Sequence, residues 1–325
     1  MIKTMLHRWV KTAAAVSLLA AAATTSAQDY PKQSVRLVNP YAPGGSTGVV
    51  ARVLSRKFQE QTGQPLIVDH RPGAGSNIGS DMVAKAPPDG YTLLLGTSSL
   101  AINASLYQSL PFDPIKDLTP IIGLISAPNV LAVSASLPIN SVKELIEYAR
   151  ARPGQLNYAS SGNGATNHMA MEMFKTMAGL QITHVPYKGG GEALKALLAG
   201  QVQVMFNPAS TVVPHEKGGR LRLLAVSSDK RVDGLNLPTV AESGLPGFES
   251  SVWFGLFAPA GTPRAVVDKV NVETSRALND KDMLEALQTA GMTPIGGTPD
   301  QMRALLQKDT RRWAEVVKAS GAKID

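Results

Sequence analysis

The chain contains no cysteine, and only 5% of its 325 residues are aromatic. The missing thiol excludes a Cys nucleophile, thiolate metal sites, iron–sulfur clusters and disulfides together. After residue 30 there is no apolar run of the length that a membrane span requires. Basic residues are not gathered into tracts, so the footprint of a nucleic-acid binder is missing too. The five histidines, His7, His70, His168, His184 and His215, show no metal-ligand spacing, and no phosphate-binding Walker loop occurs. No cofactor and no metal is expected.

What is present is ordinary for a globular protein: 44% hydrophobic and 18% charged residues, with 29 Gly and 22 Pro. The length exceeds that of one common domain, so two are expected. The first 27 residues read as a cleaved secretory signal. Lys3, Arg8 and Lys11 precede the apolar run Thr12–Ala23, and the small residues Thr25-Ser26-Ala27 stand before Gln28. With three basic residues removed, 29 bases against 25 acids leave +4 on the remaining chain. An exported, periplasmic protein is the expectation.

Hydrophobic spacing predicts strands at Val35–Val38, Pro65–Val68 and Tyr91–Leu95, with helices at Val49–Gln61 and Ile78–Ala84 between them. This βαβαβ order predicts an α/β layer with a mostly parallel sheet. A second set follows. Strands are predicted at Asn129–Val133, Asn157–Ala159, Thr183–Val185, Val202–Phe206 and Leu221–Val226, and helices at Ser141–Arg150, Asn167–Ala178 and Glu192–Leu198. After a strand at Trp253–Ala258, two helices are predicted, Pro263–Leu278 and Pro299–Ser320, packed back on the first lobe. The division expected is residues 28–126 plus 251–325 as lobe I and 127–250 as lobe II, with the chain crossing near Ser126 and Ser250.

Glycine-rich turns stand at the strand-to-helix junctions Pro43–Gly48, Gly73–Gly79, Ser160–Thr166 and Tyr187–Gly191. Glycine permits close backbone approach, and a helix start offers unpaired N–H groups and partial positive charge. Such turns at the carboxyl ends of strands suit an anion such as a carboxylate. Two other motifs compete. Gly44-Gly45-Ser46-Thr47-Gly48 fits G-x-S-x-G, the turn of a serine hydrolase, but Pro40 and Pro43 interrupt the strand that should lead into it. Gly73-Ala74-Gly75-Ser76-Asn77-Ile78-Gly79 has one residue too many for the dinucleotide fingerprint.

The segments Pro40-Tyr41-Ala42-Pro43-Gly44-Gly45, Arg71-Pro72-Gly73-Ala74-Gly75-Ser76-Asn77-Ile78-Gly79 and Pro88-Asp89-Gly90-Tyr91-Thr92-Leu93 carry a resemblance. It continues through Leu156-Asn157-Tyr158-Ala159-Ser160-Ser161-Gly162-Asn163-Gly164, His184-Val185-Pro186-Tyr187-Lys188-Gly189-Gly190-Gly191, Leu237-Pro238-Thr239-Val240-Ala241-Glu242 and Trp253-Phe254-Gly255-Leu256. In this order they resemble the Bug-type, TctC-like periplasmic substrate-binding proteins of tripartite tricarboxylate transporters. The resemblance implies a two-lobed Venus-flytrap fold, no enzymatic activity, a small organic carboxylate as ligand and the membrane subunits of a permease as partner. A monomer is expected. An orphan sensor that hands its ligand to a signalling protein remains the alternative to transport.

The resemblance further implies that ligand contacts come from Tyr41, Ala42, Pro43, Gly44, Gly45, Ser46 and Thr47, and from Thr97 and Ser98. In the second lobe it implies Ser161, Gly162, Gly164, Ala165, Thr166, Asn167, Tyr187, Lys188 and Asn207. The chain departs from the family pattern where Gly48, Gln203 and Asn207 replace acidic residues. Gly48 is expected to loosen the helix start and to alter the pocket. Trp253 is expected in the core near the second crossing, and Met169, Met171, Met173 and Met177 are read as flexible core residues.

Overall fold

The computed structural model describes residues 30–322; the signal-like leader lies outside them. Strand β1 (Val35–Asn39) runs parallel to β2 (Leu66–His70) on one side and to β3 (Thr92–Thr97) on the other. Helix α1 (Ser46–Thr62) joins β1 to β2, and α2 (Asn77–Ala84) joins β2 to β3. The apolar stripe of α1 is buried through Val50, Ala51, Leu54 and Phe58, as its i, i+4 spacing requires. A short helix not anticipated from the sequence, α3 (Ser99–Leu106), begins two residues after β3. Its polar Ser99 and Asn103 are buried together with its apolar residues, so it shows no amphipathic period.

Strand β4 (Leu118–Ser134) is far longer than the sequence indicates. Two prolines, Pro120 and Pro128, punctuate it, and prolines ordinarily mark the limits of a strand. β4 survives them because Pro120 sits at a register shift against its partner and Pro128 stands where the strand exchanges partners. From Leu118 to Pro128 it pairs antiparallel with β9 (Ser251–Pro259). From Asn129 onward it pairs with β7 (Val204–Pro208), and from Val130 with β8 (Leu221–Val226) as well, all antiparallel. Beyond β7, strands β5 (Asn157–Ser160) and β6 (Thr183–Pro186) continue in parallel. The result is one curled ten-stranded sheet with parallel outer portions and antiparallel β4 and β9 in the middle.

Helices cover both portions. On the β5–β7 side are α4 (Val142–Arg150), α5 (Thr166–Ala178), α6 (Gly190–Leu198) and the single turn α7 (Ala209–Val212). Ser141 caps α4 through the Glu144 N–H, the capping the Ser-x-x-Glu spacing predicts. After β9 come α8 (Arg264–Leu278), α9 (Lys281–Thr289), a short strand β10 (Thr293–Gly296) on β4, and α10 (Pro299–Ser320). The sequence reading missed α9 and β10. α8 and α9 pack on α1, and α10 lies against α3 and β4. Trp253 and Trp313 both donate their indole N–H to one carboxylate oxygen of buried Asp309, at 2.7 and 3.2 Å. Met169 and Met171 are fully buried, whereas Met177 is 39% exposed.

Candidate functional site

Three helix starts meet at one cavity between the two portions of the sheet. α1 begins after Gly45, α5 after Ala165 and α6 after Gly189, and none of these positions supplies a side-chain cap. The first N–H groups of a helix have no partner within it, so each start presents bare donors and about half a positive charge. The cavity is narrow, with a free volume of about 40 Å³. Gly45, Ser46 and Thr47 line it from α1, Ala165, Thr166 and Asn167 from α5, and Gly190 from α6. Among the described residues, none of its lining side chains is charged.

Polar contacts hold the walls. Tyr41 hydroxyl meets Ser99 Oγ at 2.7 Å and Thr97 Oγ1 at 3.2 Å. Burial raises the pKa of this phenol, so it stays a neutral hydroxyl. Asn167 accepts from the Ser161 N–H at 3.1 Å and donates to the Ser161 hydroxyl at 3.0 Å. Asn207 donates to the Gly190 carbonyl at 3.0 Å. The two portions of the sheet touch across the cleft. Ala42 N–H donates to the Lys188 carbonyl at 3.1 Å, Ser98 Oγ lies 2.6 Å from Thr166 Oγ1, and Tyr107 hydroxyl donates to the Asn163 carbonyl at 3.3 Å.

Of the residues expected at a ligand, the structure brings Tyr41, Gly45, Ser46, Thr47, Thr97, Ser161, Ala165, Thr166, Asn167 and Asn207 to this cavity. Pro43 and Gly44 are exposed beside it, and Ser98 is buried in its bond to Thr166. Ala42 and Lys188 meet through their backbones, and the Lys188 side chain is exposed. Gly162, Tyr187 and Lys188 line a neighbouring hollow at the mouth, which shares Tyr41 and Ser161 with the main cavity. Gly164 packs against Asn103 and Leu106 of α3. Gly48 does not line the cavity, and a side chain there would meet open space. Gln203 is occupied structurally, accepting from the Asn157 N–H at 2.9 Å.

Five lining residues escaped the sequence reading: Asn129, Gly190, Pro208, Val252 and Phe254. Gly190 belonged to a turn already noticed. The others sit on β4, β7 and β9, in apolar runs that read as core. Only the strand register brings them together, since Asn129 pairs with Pro208 and Ala127 with Val252.

The serine-hydrolase motif fails on geometry. Ser46 opens a helix seven residues after β1 ends at Asn39. His70 bonds the Tyr41 carbonyl, His168 the Gly164 N–H and His184 the Ser160 hydroxyl, and none of these bonds reaches Ser46. Ser160 is itself fully buried. The profile of the tripartite tricarboxylate transporter family receptor matches residues 50–322.

The chain belongs to this receptor family.

The protein BugT of Bordetella pertussis is 40% identical over 306 residues, covering 93% of this chain and 94% of the relative. The solved structure of Rpa4515 from R. palustris with adipate matches at TM-score 0.87 and 39% identity, covering 90% of this chain and 98% of that one. MatC from Rhodopseudomonas palustris with bound malate matches at TM-score 0.84 and 32% identity, covering 89% of this chain and all of the other. These relatives are substrate-binding proteins, and so this family member is a solute-binding receptor rather than an enzyme. No helix among the described residues is long and apolar enough to cross a membrane.

Proposed function

We propose that the protein is an exported receptor that closes around a small organic carboxylate and presents it to the membrane subunits of a tripartite tricarboxylate-type permease. The observation that carries this reading is the convergence of the α1, α5 and α6 starts, uncapped, on one cavity free of charged side chains. Roughly half a positive charge at each helix start balances an anion without a lysine or arginine. The carboxylates named in the Rpa4515 and MatC structures are consistent with it.

In this reading the lobes are residues 28–126 plus 251–325 and residues 127–250. The change of β4 partners between Pro128 and Asn129, and the start of β9 at Ser251, support hinges close to both boundaries. A ligand gripped by helix starts from both lobes shifts the protein toward closure only because it touches both.

The test is a thermal-shift screen of ligand-stripped protein lacking residues 1–27 against mono-, di- and tricarboxylates, acidic amino acids and aromatic acids. A ligand bound only by the folded state raises the melting temperature, by an amount worth about 2.7 kcal/mol at a hundredfold excess over Kd. A rise for one acid class is expected. No rise with any acid refutes carboxylate capture. Uptake of that acid by cells carrying the permease genes, lost on deleting the receptor, tests delivery.

A further inference from the structure

Asn129 stands apart from every other polar residue of the cavity. It is 1% exposed, it lines the cavity, and neither Oδ1 nor Nδ2 has a hydrogen-bond partner among the described residues. The neighbouring amides are engaged: Asn167 with Ser161, and Asn207 with Gly190. Its backbone is fixed as well, the N–H donating to Ser227 Oγ at 2.8 Å and the carbonyl accepting from the Ser227 N–H at 2.8 Å. The side chain is therefore held in place while both of its polar atoms stay unpaired. A buried amide left unpaired is costly, and native structures tolerate one where a ligand completes it.

Its place in the fold decides what it meets. Asn129 sits where β4 changes partners, on the same face as Ala127, whose register partner is Val252; two residues along β9 is Phe254. Pro208 is its own partner on β7. Val252, Phe254 and Pro208 give the floor an apolar surface around a single amide, whereas the helix starts form the walls.

We infer that Asn129 is the specificity-determining residue for the ligand's second polar group. We further infer that this group is an uncharged one that both donates and accepts, a hydroxyl or a carboxamide. This rests on the carboxylate reading above. The carboxylate end lies at the helix starts, a short apolar body lies on Phe254 and Val252, and the neutral end pairs with the Asn129 amide. A second carboxylate satisfies only Nδ2 and sets its own charge against Oδ1. The three helix starts together supply about one and a half positive charges, enough for one carboxylate but short of two. No cationic side chain among the described lining residues makes up the difference.

The test is calorimetric titration of ligand-stripped protein lacking residues 1–27 with four matched acids, each in four-, five- and six-carbon lengths. They are the plain monocarboxylate, its ω-hydroxy form, the mono-amide of the diacid, and the diacid. In the unmodified protein the hydroxy or mono-amide form should bind roughly ten- to a hundredfold more tightly than the plain acid and more tightly than the diacid. Asn129→Leu should erase that advantage, bringing the hydroxy and mono-amide forms to within about threefold of the plain acid of the same length. Its melting temperature without ligand should hold or rise, because an unpaired buried amide is gone. Asn129→Asp should retain the hydroxy form and lose the diacid further. A diacid that binds most tightly to the unmodified protein overturns the inference and leaves carboxylate capture standing. So does an advantage that survives Asn129→Leu. A melting temperature that collapses in Asn129→Leu while Asn129→Asp binds all four acids as before shows a structural amide and also overturns it. Failure of all four acids to bind the unmodified protein removes the carboxylate reading and this inference together.

Discussion

Replacing Gly191 by alanine should separate folding from closure. Gly191 is the second residue of α6, with ordinary helical geometry, and a Cβ there would stand 2.8 Å from the carbonyl carbon and oxygen of Gly44. Gly44 belongs to the loop between β1 and α1, across the cleft. In the open form that the proposed closure implies, that neighbour is gone, and alanine favours the helix over glycine by up to about 1 kcal/mol. In the closed form the Gly44 backbone must retreat by about 0.6 Å to reach ordinary contact at 3.4 Å. Overpacking of this kind costs about 1–3 kcal/mol. If closure is needed for tight binding, affinity falls by about 5- to 150-fold. The assay is calorimetric titration with whichever acid gives the largest thermal shift, beside a melting curve without ligand. The expected pair of results is weaker binding with an unchanged or higher melting temperature. Undiminished affinity would show that the Gly44–Gly191 approach plays no part in the bound state. A sharply lowered melting temperature would show that the contact belongs to the core and not to a closing interface.

Two further predictions concern stability. His168 and His184 stack at 4.2 Å beside Tyr158. Burial, with Lys175 nearby, lowers His168 to about 4, and burial, His168 and Lys175 lower His184 to about 3 against the opposing pull of Glu172. Both are neutral when folded but take up protons when unfolded below about pH 6.5. Their stabilisation is whole above that pH and is lost as pH falls toward 4 and then 3. Urea unfolding at pH 7 and pH 5 should therefore differ by about 4 kcal/mol from this pair, and the difference should shrink in His168→Gln; an equal difference in that variant would refute the assignment. Asp309 anchors two indoles, and burial raises its pKa despite them and Arg312. Asp309→Ala, which strands both N–H groups, should cost about 3 kcal/mol, whereas Asp309→Asn should cost under about 1 because the oxygen acceptor remains; equal losses in urea unfolding would show that the charge, not the acceptor, matters.

The local elements were legible wherever one chemical signal acted alone. The apolar period of α1, the capping of α4 by Ser141 and the run Leu221–Val226 each follow from nearest neighbours along the chain. The Gly-rich starts of α1, α5 and α6 were legible for the same reason, and with them most of the cavity walls. β4 was not, because Pro120 is tolerated at a register shift against β9 and Pro128 at the exchange of β9 for β7 and β8. α3 was hidden by burial on almost every side, which erases amphipathic spacing.

The cavity floor shows where the sequence stops. That helix starts rich in glycine would favour an anion was determined residue by residue, since it depends on backbone N–H groups and local conformation. That these starts face one another, and that Asn129, Pro208, Val252 and Phe254 lie beneath them, was decided only by the register of β4 against β7 and β9. An asparagine in an apolar strand has no local mark distinguishing a core amide from a ligand contact. The distinction depends on which partners reach it, and partners 79 and 123 residues away, Pro208 and Val252, are brought there by tertiary pairing alone.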